Sequence, residues 1–399
     1  MRDPGIEKCI PPYIWDICHR FYEAGEDAYI VGGSLRDILL GRTPSDFDLA
    51  TSALPKKTAE LFSDMRVIET GIKHGTVTVI AQNSPVEITT FRVDGGYTDS
   101  RHPDRVSFTC RIEEDLGRRD FTVNAMAYND RSGLVDPYGG LYDLKARIIR
   151  AVGDSKKRFS EDALRIMRAF RFSAQLEFEI DPDTLSGAVT ARNGLKNIAK
   201  ERISSEFLKT LTTRDPEYVL RLMAENDILT YITNGYIPMQ EIFPLVKKMP
   251  CDGGARLGLL MYGADEKLAK DILRSLKVSN AIVTLALSVI RHSTTAITTP
   301  AHVRRLIGQC GPHAIHVTTA SSLLGISCAD APKWAMENNA PCSISDLALS
   351  GNDLISLGIH GKNIGETLSY LLECVINDPS LNDRKTLLDI TDKYLKNGD

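Results

Sequence analysis

The stretch AYIVGGSLRDILLGRTPSDFDLATSALP, Ala28 to Pro55, decides the fold. It opens as an apolar strand, breaks at Gly32-Gly33 and resumes as a helical run from Ser34 to Leu40. Paired glycines at a strand end let backbone N–H groups approach a polyphosphate. The helix start adds partial positive charge, and Arg36 in its first turn is a further phosphate partner. Taken alone, such a pair is most often just a turn. A little further on, Asp46-Phe47-Asp48 runs into Leu49 and Ala50 as a strand would, and residues two apart on a strand face the same side. Two carboxylates so placed can share hard cations such as Mg²⁺, whose usual further partners are substrate phosphates. A lone Asp-x-Asp is usually a solvated turn, but joined to the glycines and Arg36 it reads as a nucleotide and metal site.

Three further stretches extend this reading. VEITTFR, Val86 to Arg92, offers Glu87 as a third carboxylate from a neighbouring strand, and a rim residue of the sheet is the equally weighted alternative. In GRRDFTVNAMAYN, Gly117 to Asn129, Arg118, Arg119, Asp120 and Asn124 precede or interrupt an apolar run. SEDALRIMRAFRFSAQLEF, Ser160 to Phe178, reads as one helix with Ser160 as N-cap and Glu161 and Asp162 in its first turn. Asp162, Arg165, Arg168 and Arg171 then fall three apart and form one ridge. An exposed face of ion pairs is the bland account of that ridge. The functional account rests on base chemistry, since cytosine and adenine both present an amino donor beside a ring-nitrogen acceptor, whereas uracil and guanine reverse that polarity. A carboxylate acceptor and a guanidinium donor one turn apart, Asp162 and Arg165, match C and A and reject U and G.

At 399 residues the chain is long enough for several domains in series. Hydrophobic residues at 43% and charged residues at 25% exclude disordered and fibrous classes. Up to about residue 150 the pattern alternates between strand-like runs, such as Val77 to Ile80 and Val86 to Phe91, and short helical pieces, as in a mixed α/β domain. From about Ser155 onward helical spacing dominates with no convincing strand pair, and Asp215-Pro216, Thr299-Pro300 and Ala331-Pro332 read as breaks. The N-terminal stretch lacks the basic end and apolar core of a signal peptide, and no apolar run is long enough to span a bilayer, so a cytoplasmic protein is expected. Eight cysteines without a CxxC pair read as buried thiols in a reducing compartment. The net charge of −4 requires any basic RNA-binding surface to be local.

Together, GGSLRD, DFDLAT, RRDFTVNAM, DPYGGLYDL, EDALRIMRAFRF and KERISSEF resemble the tRNA nucleotidyltransferase and bacterial poly(A) polymerase family, in its bacterial and eukaryotic class. The resemblance runs from about Ala28 to Leu211 and extends more weakly to LSGNDLISLGI and LNDRKTLL. It implies an α+β, polymerase-β-like nucleotidyltransferase head (1–145), then an all-α neck with the base-reading motif (146–211), body (212–330) and tRNA-binding tail (331–399). Gly33 and Arg36 would touch the triphosphate, and Asp46 and Asp48 would hold two Mg²⁺ ions, with Mn²⁺ as the alternative metal. Arg119 would shape the nucleotide pocket, with Asp120 and Asn124 organising ribose and pocket. Asp162 and Arg165 would read the base, while Arg168 and Arg171 would face the phosphates. The implied reaction is in-line attack of a tRNA 3′-hydroxyl on the α-phosphate of CTP or ATP, with the tRNA elbow gripped by body and tail.

The polar, glycine-hinged stretch VDGGYTDSRHPDR, Val93 to Arg105, reads either as a loop that switches the pocket from C to A or as an ordinary surface loop. Where the family's poly(A) polymerases carry a basic, aromatic stretch, this chain has GIKHGTVTVI, Gly71 to Ile80, like the tRNA-directed members. Enzymes that add only CC or only A remain alternatives, as does a poly(A) polymerase. A noncatalytic RNA-binding descendant should have lost one of Asp46, Asp48, Asp162 or Arg165, and all are present. A small-molecule nucleotidyltransferase would have little use for the arginine ridge. None of the eight histidines is followed by aspartate, so the phosphohydrolase domain of some family members is not expected.

Overall fold

The computed structural model describes residues 4–95, 106–326 and 341–396, so most of the Val93 to Arg105 stretch and the Ala331-Pro332 break lie outside the described residues. The chain divides into two compact units, Met1–Ile237 and Pro238–Asp399.

The first unit is built on strands β1 (Ala28–Val31), β2 (Phe47–Thr51), β3 (Arg66–Ile68), β4 (Thr76–Ala81), β5 (Ser84–Thr90), β6 (Arg92–Asp94), β7 (Val106–Phe108), β8 (Ala127–Asn129) and β9 (Gly133–Val135). Seven of them form one sheet in the order β3-β4-β5-β2-β1-β8-β9, while β6 and β7 pair as a separate ribbon. Alternating burial along β4 matches a strand with one face on the core, whereas the central β1 is buried throughout. The β4–β5 hairpin closes through Gln82 and Asn83, both with positive φ, as a tight two-residue turn requires. Only β2 and β5 run parallel, in a register that sets Asp48 beside Glu87 and leaves Val31 of β1 on its other side. The two carboxylates therefore lie side by side on inner strands, next to the point where β1 ends and its helix begins.

Helical segments complete this unit. The sequence reading of Ser160 to Phe178 as one helix is corrected here, because one helix spans Ser155–Glu161 and another Leu164–Leu176. Asp162 between them is extended at φ −141° and ψ 103°, and its carboxylate accepts from the Leu164 N–H at 3.0 Å. Aspartate competes for nearby backbone donors in this way and so interrupts helices. Ser160 is accordingly no N-cap, since its hydroxyl donates to the Lys157 carbonyl within the first helix. A short parallel pair, Ile148–Ile149 with Glu179–Ile180, is a strand pairing that helical spacing did not reveal. The Leu164–Leu176 helix buries Ile166, Met167, Ala169, Phe170 and Phe172, and Phe172 meets Phe121 edge-on at 5.8 Å.

The second unit is helical throughout its described residues. Its helices Gly253–Leu260 and Asn280–His292 meet through Gly258, where a Cβ would lie 2.8 Å from the Ala286 carbonyl oxygen. Leu354, Leu371, Val375 and Leu387 centre a separate apolar cluster. No helix among the described residues is long and apolar enough to cross a membrane. The seven described cysteines are free thiols, and only Cys18 and Cys310 are buried, so the expectation of buried thiols fails for Cys9, Cys110 and Cys251.

The DPYGGLYDL stretch supports the cleft from behind. Asp136 accepts from the N–H groups of Gly140 and Leu141 and caps the helix Gly140–Ala146. A Cβ on Gly140 would fall 2.2 Å from the Thr122 carbonyl oxygen, at the turn that carries Asn124. Gly140→Ala should therefore destabilise the first unit by about 1–3 kcal/mol, read as a lower denaturant midpoint at unchanged slope.

Candidate active site

Every residue singled out from the sequence lines a single cleft of about 740 Å³. Its floor lies on inner strands of the sheet. Asp46 immediately precedes β2, Asp48 lies within it, and Glu87 is the registered neighbour of Asp48 on β5. Burial against the cleft walls pushes the Asp48 carboxyl up to about 6, the Glu87 and Asp46 carboxylates add to the rise, and Arg119 opposes it. Crowded carboxylates of this kind are relieved by a hard cation with oxygen preference, so the donor set fits a divalent metal. Among the described residues no three His, Cys, Asp or Glu side chains converge into a ready cage. A metal here would draw its other ligands from phosphate and water, as Mg²⁺ commonly does.

The glycine turn beside this floor places its constraint on Gly32 rather than on the Gly33 chosen from the sequence. Gly32 has φ +71°, and a Cβ there would stand 3.3 Å from Arg119 Nη1 and 3.6 Å from Asp48 Oδ2. Gly33 opens directly into the cleft.

Arginines form the facing wall. Arg36, 4% exposed, donates to Asn124 Oδ1 at 2.8 Å and to Asp37 Oδ1 through Nε and Nη2. Its guanidinium, with those of Arg168 and Arg171, surrounds the Phe172 ring at 5.4, 5.2 and 4.1 Å. Arg171 lies 2.7 Å from the buried Glu206, and burial followed by the nearby Arg168 and Arg36 charges lowers its pKa. Such a cluster invites a polyanion. Asp120 tempers it. Burial alone would raise the Asp120 carboxyl, but Arg168 overrides this by charge and by a 2.7 Å hydrogen bond, holding it at about 2.

At the far end stand Asp162 and Arg165. Asp162 is fixed by the Leu164 N–H and lies 3.6 Å from Arg202. Arg165 donates to Glu161 Oε2 at 2.9 Å, to the Arg158 carbonyl at 3.3 Å and to the Arg118 carbonyl at 3.1 Å. Arg165, Arg168 and Arg171 share one helix face as their spacing predicts, whereas Asp162 joins them from the break before it.

Several residues of the cleft escaped the sequence reading. Asp37, Phe172, Gln175 and Arg202 line it, as does Arg118, which the sequence named without assigning it a role. Asp115, 1% exposed, grips Arg118 and Arg119 from behind. Its spacing of three and four residues from those arginines was a usable signal. Arg202 and Glu206 fall within the KERISSEF block, but their contacts with Asp162 and Arg171 left no local signal.

The site can be set beside known proteins. Residues 28–150 match the poly(A) polymerase head domain, and residues 177–243 match the domain described as a probable RNA and SrmB-binding site of polymerase A. The CCA-adding enzyme of Limosilactobacillus fermentum is 37% identical over 388 residues, which cover 95% of this chain and 96% of that one. That of Ligilactobacillus salivarius is 35% identical over 400 residues, again 95% and 96% of the two chains. The crystal structure of the Bacillus stearothermophilus CCA-adding enzyme in complex with CTP matches with a TM-score of 0.81 at 31% identity, covering 99% of this chain and 100% of that one.

The Asp120–Arg168 pair makes a prediction about pH. Asp120→Asn should cost about 3 kcal/mol at neutral pH, because it leaves a guanidinium without its buried counter-charge. The wild-type carboxyl sits at about 2, below its ordinary 3.8. Its stabilising contribution is therefore complete above the ordinary value and lost as pH falls toward the folded one. Denaturant unfolding should show a constant gap between wild type and variant from pH 8 to 5, narrowing below pH 4.

Proposed function

The chain belongs to the CCA-adding nucleotidyltransferases of the poly(A) polymerase head-domain family, and from that membership we infer that its cleft adds C, C and A, from CTP and ATP, to the 3′ end of tRNA without a nucleic-acid template. One observation carries the reading. Asp46, Asp48 and Glu87, the arginines Arg36, Arg168 and Arg171, and the pair Asp162 and Arg165 all line one cleft, which supports a site for metal, triphosphate and base. Members of this family use divalent metals. Asp46 and Asp48, with Glu87 beside them, would hold Mg²⁺ or Mn²⁺, and the bound metal supplies Lewis acidity to the reacting phosphate and hydroxyl oxygens.

The protein's own residues bind and orient. The backbone at Gly33 and the guanidinium of Arg36 receive the triphosphate, with Arg168 and Arg171 neutralising its charge from the neck helix. Arg119 and Asn124 border the sugar, and Asp120 keeps Arg168 in place. Asp162 accepts from the exocyclic amino group of cytosine or adenine, while Arg165 donates to the ring nitrogen beside it. Uracil or guanine would oppose acceptor to acceptor and donor to donor, leaving buried polar groups unsatisfied at roughly 1–3 kcal/mol each. The RNA 3′-hydroxyl gives up its proton to water as its oxygen bonds to the α-phosphorus, the α–β bridging bond breaks, and pyrophosphate leaves with that bond's electrons. No side-chain nucleophile takes part.

The head (1–145), neck (146–211), body (212–330) and tail (331–399) division belongs to this proposal, with the last two gripping the tRNA elbow. The free thiols suit a reducing cytoplasm, the location proposed.

The deciding assay supplies Mg²⁺, tRNA transcripts ending before CCA, after C or after CC, and CTP, ATP or both, and sequences the products. CCA addition followed by arrest is expected. Growth only to CC, growth only from CC, or a long A tail would assign a partial or poly(A) enzyme, and no extension would overturn the reading. Asp46→Ala should lower transfer from CTP and ATP alike by about 10³-fold, the scale of several kcal/mol of lost transition-state stabilisation. Arg165→Ala should instead reduce the preference for CTP over UTP by about 10- to 100-fold. A uniform loss with base choice intact would refute templating by the side chain.

A further inference from the structure

Asp115 touches neither the base-reading pair nor the carboxylate floor, yet it stands behind both. It lies on the helix Ile112–Gly117 and is 1% exposed. Its Oδ1 accepts from Arg118 Nε at 2.9 Å, from Arg118 Nη2 at 2.8 Å and from the Arg92 N–H at 3.3 Å. Its Oδ2 accepts from Arg119 Nη2 at 3.1 Å. Burial would raise this carboxyl, but Arg119 first and then Arg118 bring it below its ordinary value, so it is ionised at neutral pH.

The two arginines it grips carry the backbone on which the neck rests. The Arg118 carbonyl accepts from Arg165 Nη2 at 3.1 Å, and the preceding Gly117 carbonyl accepts from Arg158 Nη2 at 2.7 Å. Arg158 in turn offers its own carbonyl to Arg165, and both guanidiniums share Glu161 Oε2. The end of the Ile112–Gly117 helix is thus a socket for the arginines on either side of Asp162. The conformation of residues 117–119 follows the side chains of Arg118 and Arg119, and Asp115 fixes those. Arg119 has little else to hold it, because its Nε is buried without a hydrogen-bond partner and its contact with the Asn124 carbonyl is long at 3.5 Å.

We propose that Asp115 is a positioning residue for base selection, holding Arg118 so that the Arg118 carbonyl fixes the angle at which Arg165 meets the incoming base. Asp115 never contacts the nucleotide. A purely structural carboxylate would lower stability and slow all four nucleotides alike, whereas a positioning carboxylate changes their ratio. This inference rests on the base-reading role of Arg165 stated above.

The test measures single-nucleotide addition to tRNA, with CTP and UTP as separate substrates, in the full-length wild type and three variants. Asp115→Asn removes the charge at constant shape. Arg118→Gln breaks the same link from its less buried partner and guards against a fold defect in the first variant. Asp181→Asn is the control, a buried carboxylate that pairs with Arg150 and Thr184 and does not line the cleft. The kcat/KM ratio of CTP to UTP should fall about tenfold in the first two variants, as for one misaligned charge-assisted hydrogen bond. It should hold in the third at comparable loss of thermal stability. An unchanged ratio in both Asp115→Asn and Arg118→Gln, or an equal fall in Asp181→Asn, would overturn the inference. A wild type that does not prefer CTP would instead overturn the base-reading proposal itself.

Discussion

A single ion pair, Asp120 with Arg168, joins the loop after the Ile112–Gly117 helix to the neck helix Leu164–Leu176, and the shape of the cleft depends on it. Water is largely excluded from the carboxylate, so the attraction is little screened, and Asn124 and the Phe121 N–H satisfy its other oxygen. The consequences spread in two directions. Phe121 is held where it meets Phe172 edge-on, and Phe172 is the surface around which Arg36, Arg168 and Arg171 gather. Asn124, anchored by Asp120, turns its side-chain carbonyl to Arg36. One pair thereby sets both the helix carrying the arginines and the turn that steadies the arginine of the head.

Charge explains how an acidic chain can hold nucleotides. The sequence carries a net charge of −4, yet seven arginines and six carboxylates line the cleft. Asp37, Asp120 and Asp162 stand against Arg36, Arg168 and Arg202, whereas Asp46, Asp48 and Glu87 form an acidic group of their own. Burial, and then the Glu87 and Asp46 charges, raise Asp48, and Arg119 is the arginine that stands beside it. A metal–triphosphate complex is itself a dipole of matching sense, with cation and polyanion side by side. The cleft needs no basic excess over the whole surface, only this local ordering.

Most of the cleft was legible because its residues fall in short blocks whose spacing carries chemistry. Two carboxylates around one apolar residue on a strand, a glycine pair before a helix, and arginines at intervals of three each imply a shared face. Three features were not legible. The break at Asp162 depends on a side chain capturing the Leu164 N–H, which an apolar period continuing on both sides conceals. Gly32 rather than Gly33 bears the steric constraint, because the approach of Arg119 and Asp48 comes from elsewhere in the chain. From a later helix Glu206 reaches Arg171 and Arg202 reaches Asp162, and no local pattern can announce such a tertiary contact.

The break at Asp162 also bears on how a protein can substitute for a template strand. Had Asp162 continued the helix, its carboxylate would have lain on the ridge above Arg165, free to close on that guanidinium. Instead the extended backbone withdraws it, the Leu164 N–H occupies one oxygen, and Arg202 attends the other. Arg165 is meanwhile held by acceptors from Glu161, Arg158 and Arg118 rather than by Asp162. Each member of the pair is satisfied by the scaffold and kept from the other, and under the proposed base-reading role neither can then rotate cheaply to suit an incorrect base. Discrimination by side chains requires that rigidity, since a flexible carboxylate and guanidinium would rearrange around uracil or guanine and recover most of the lost hydrogen bonding.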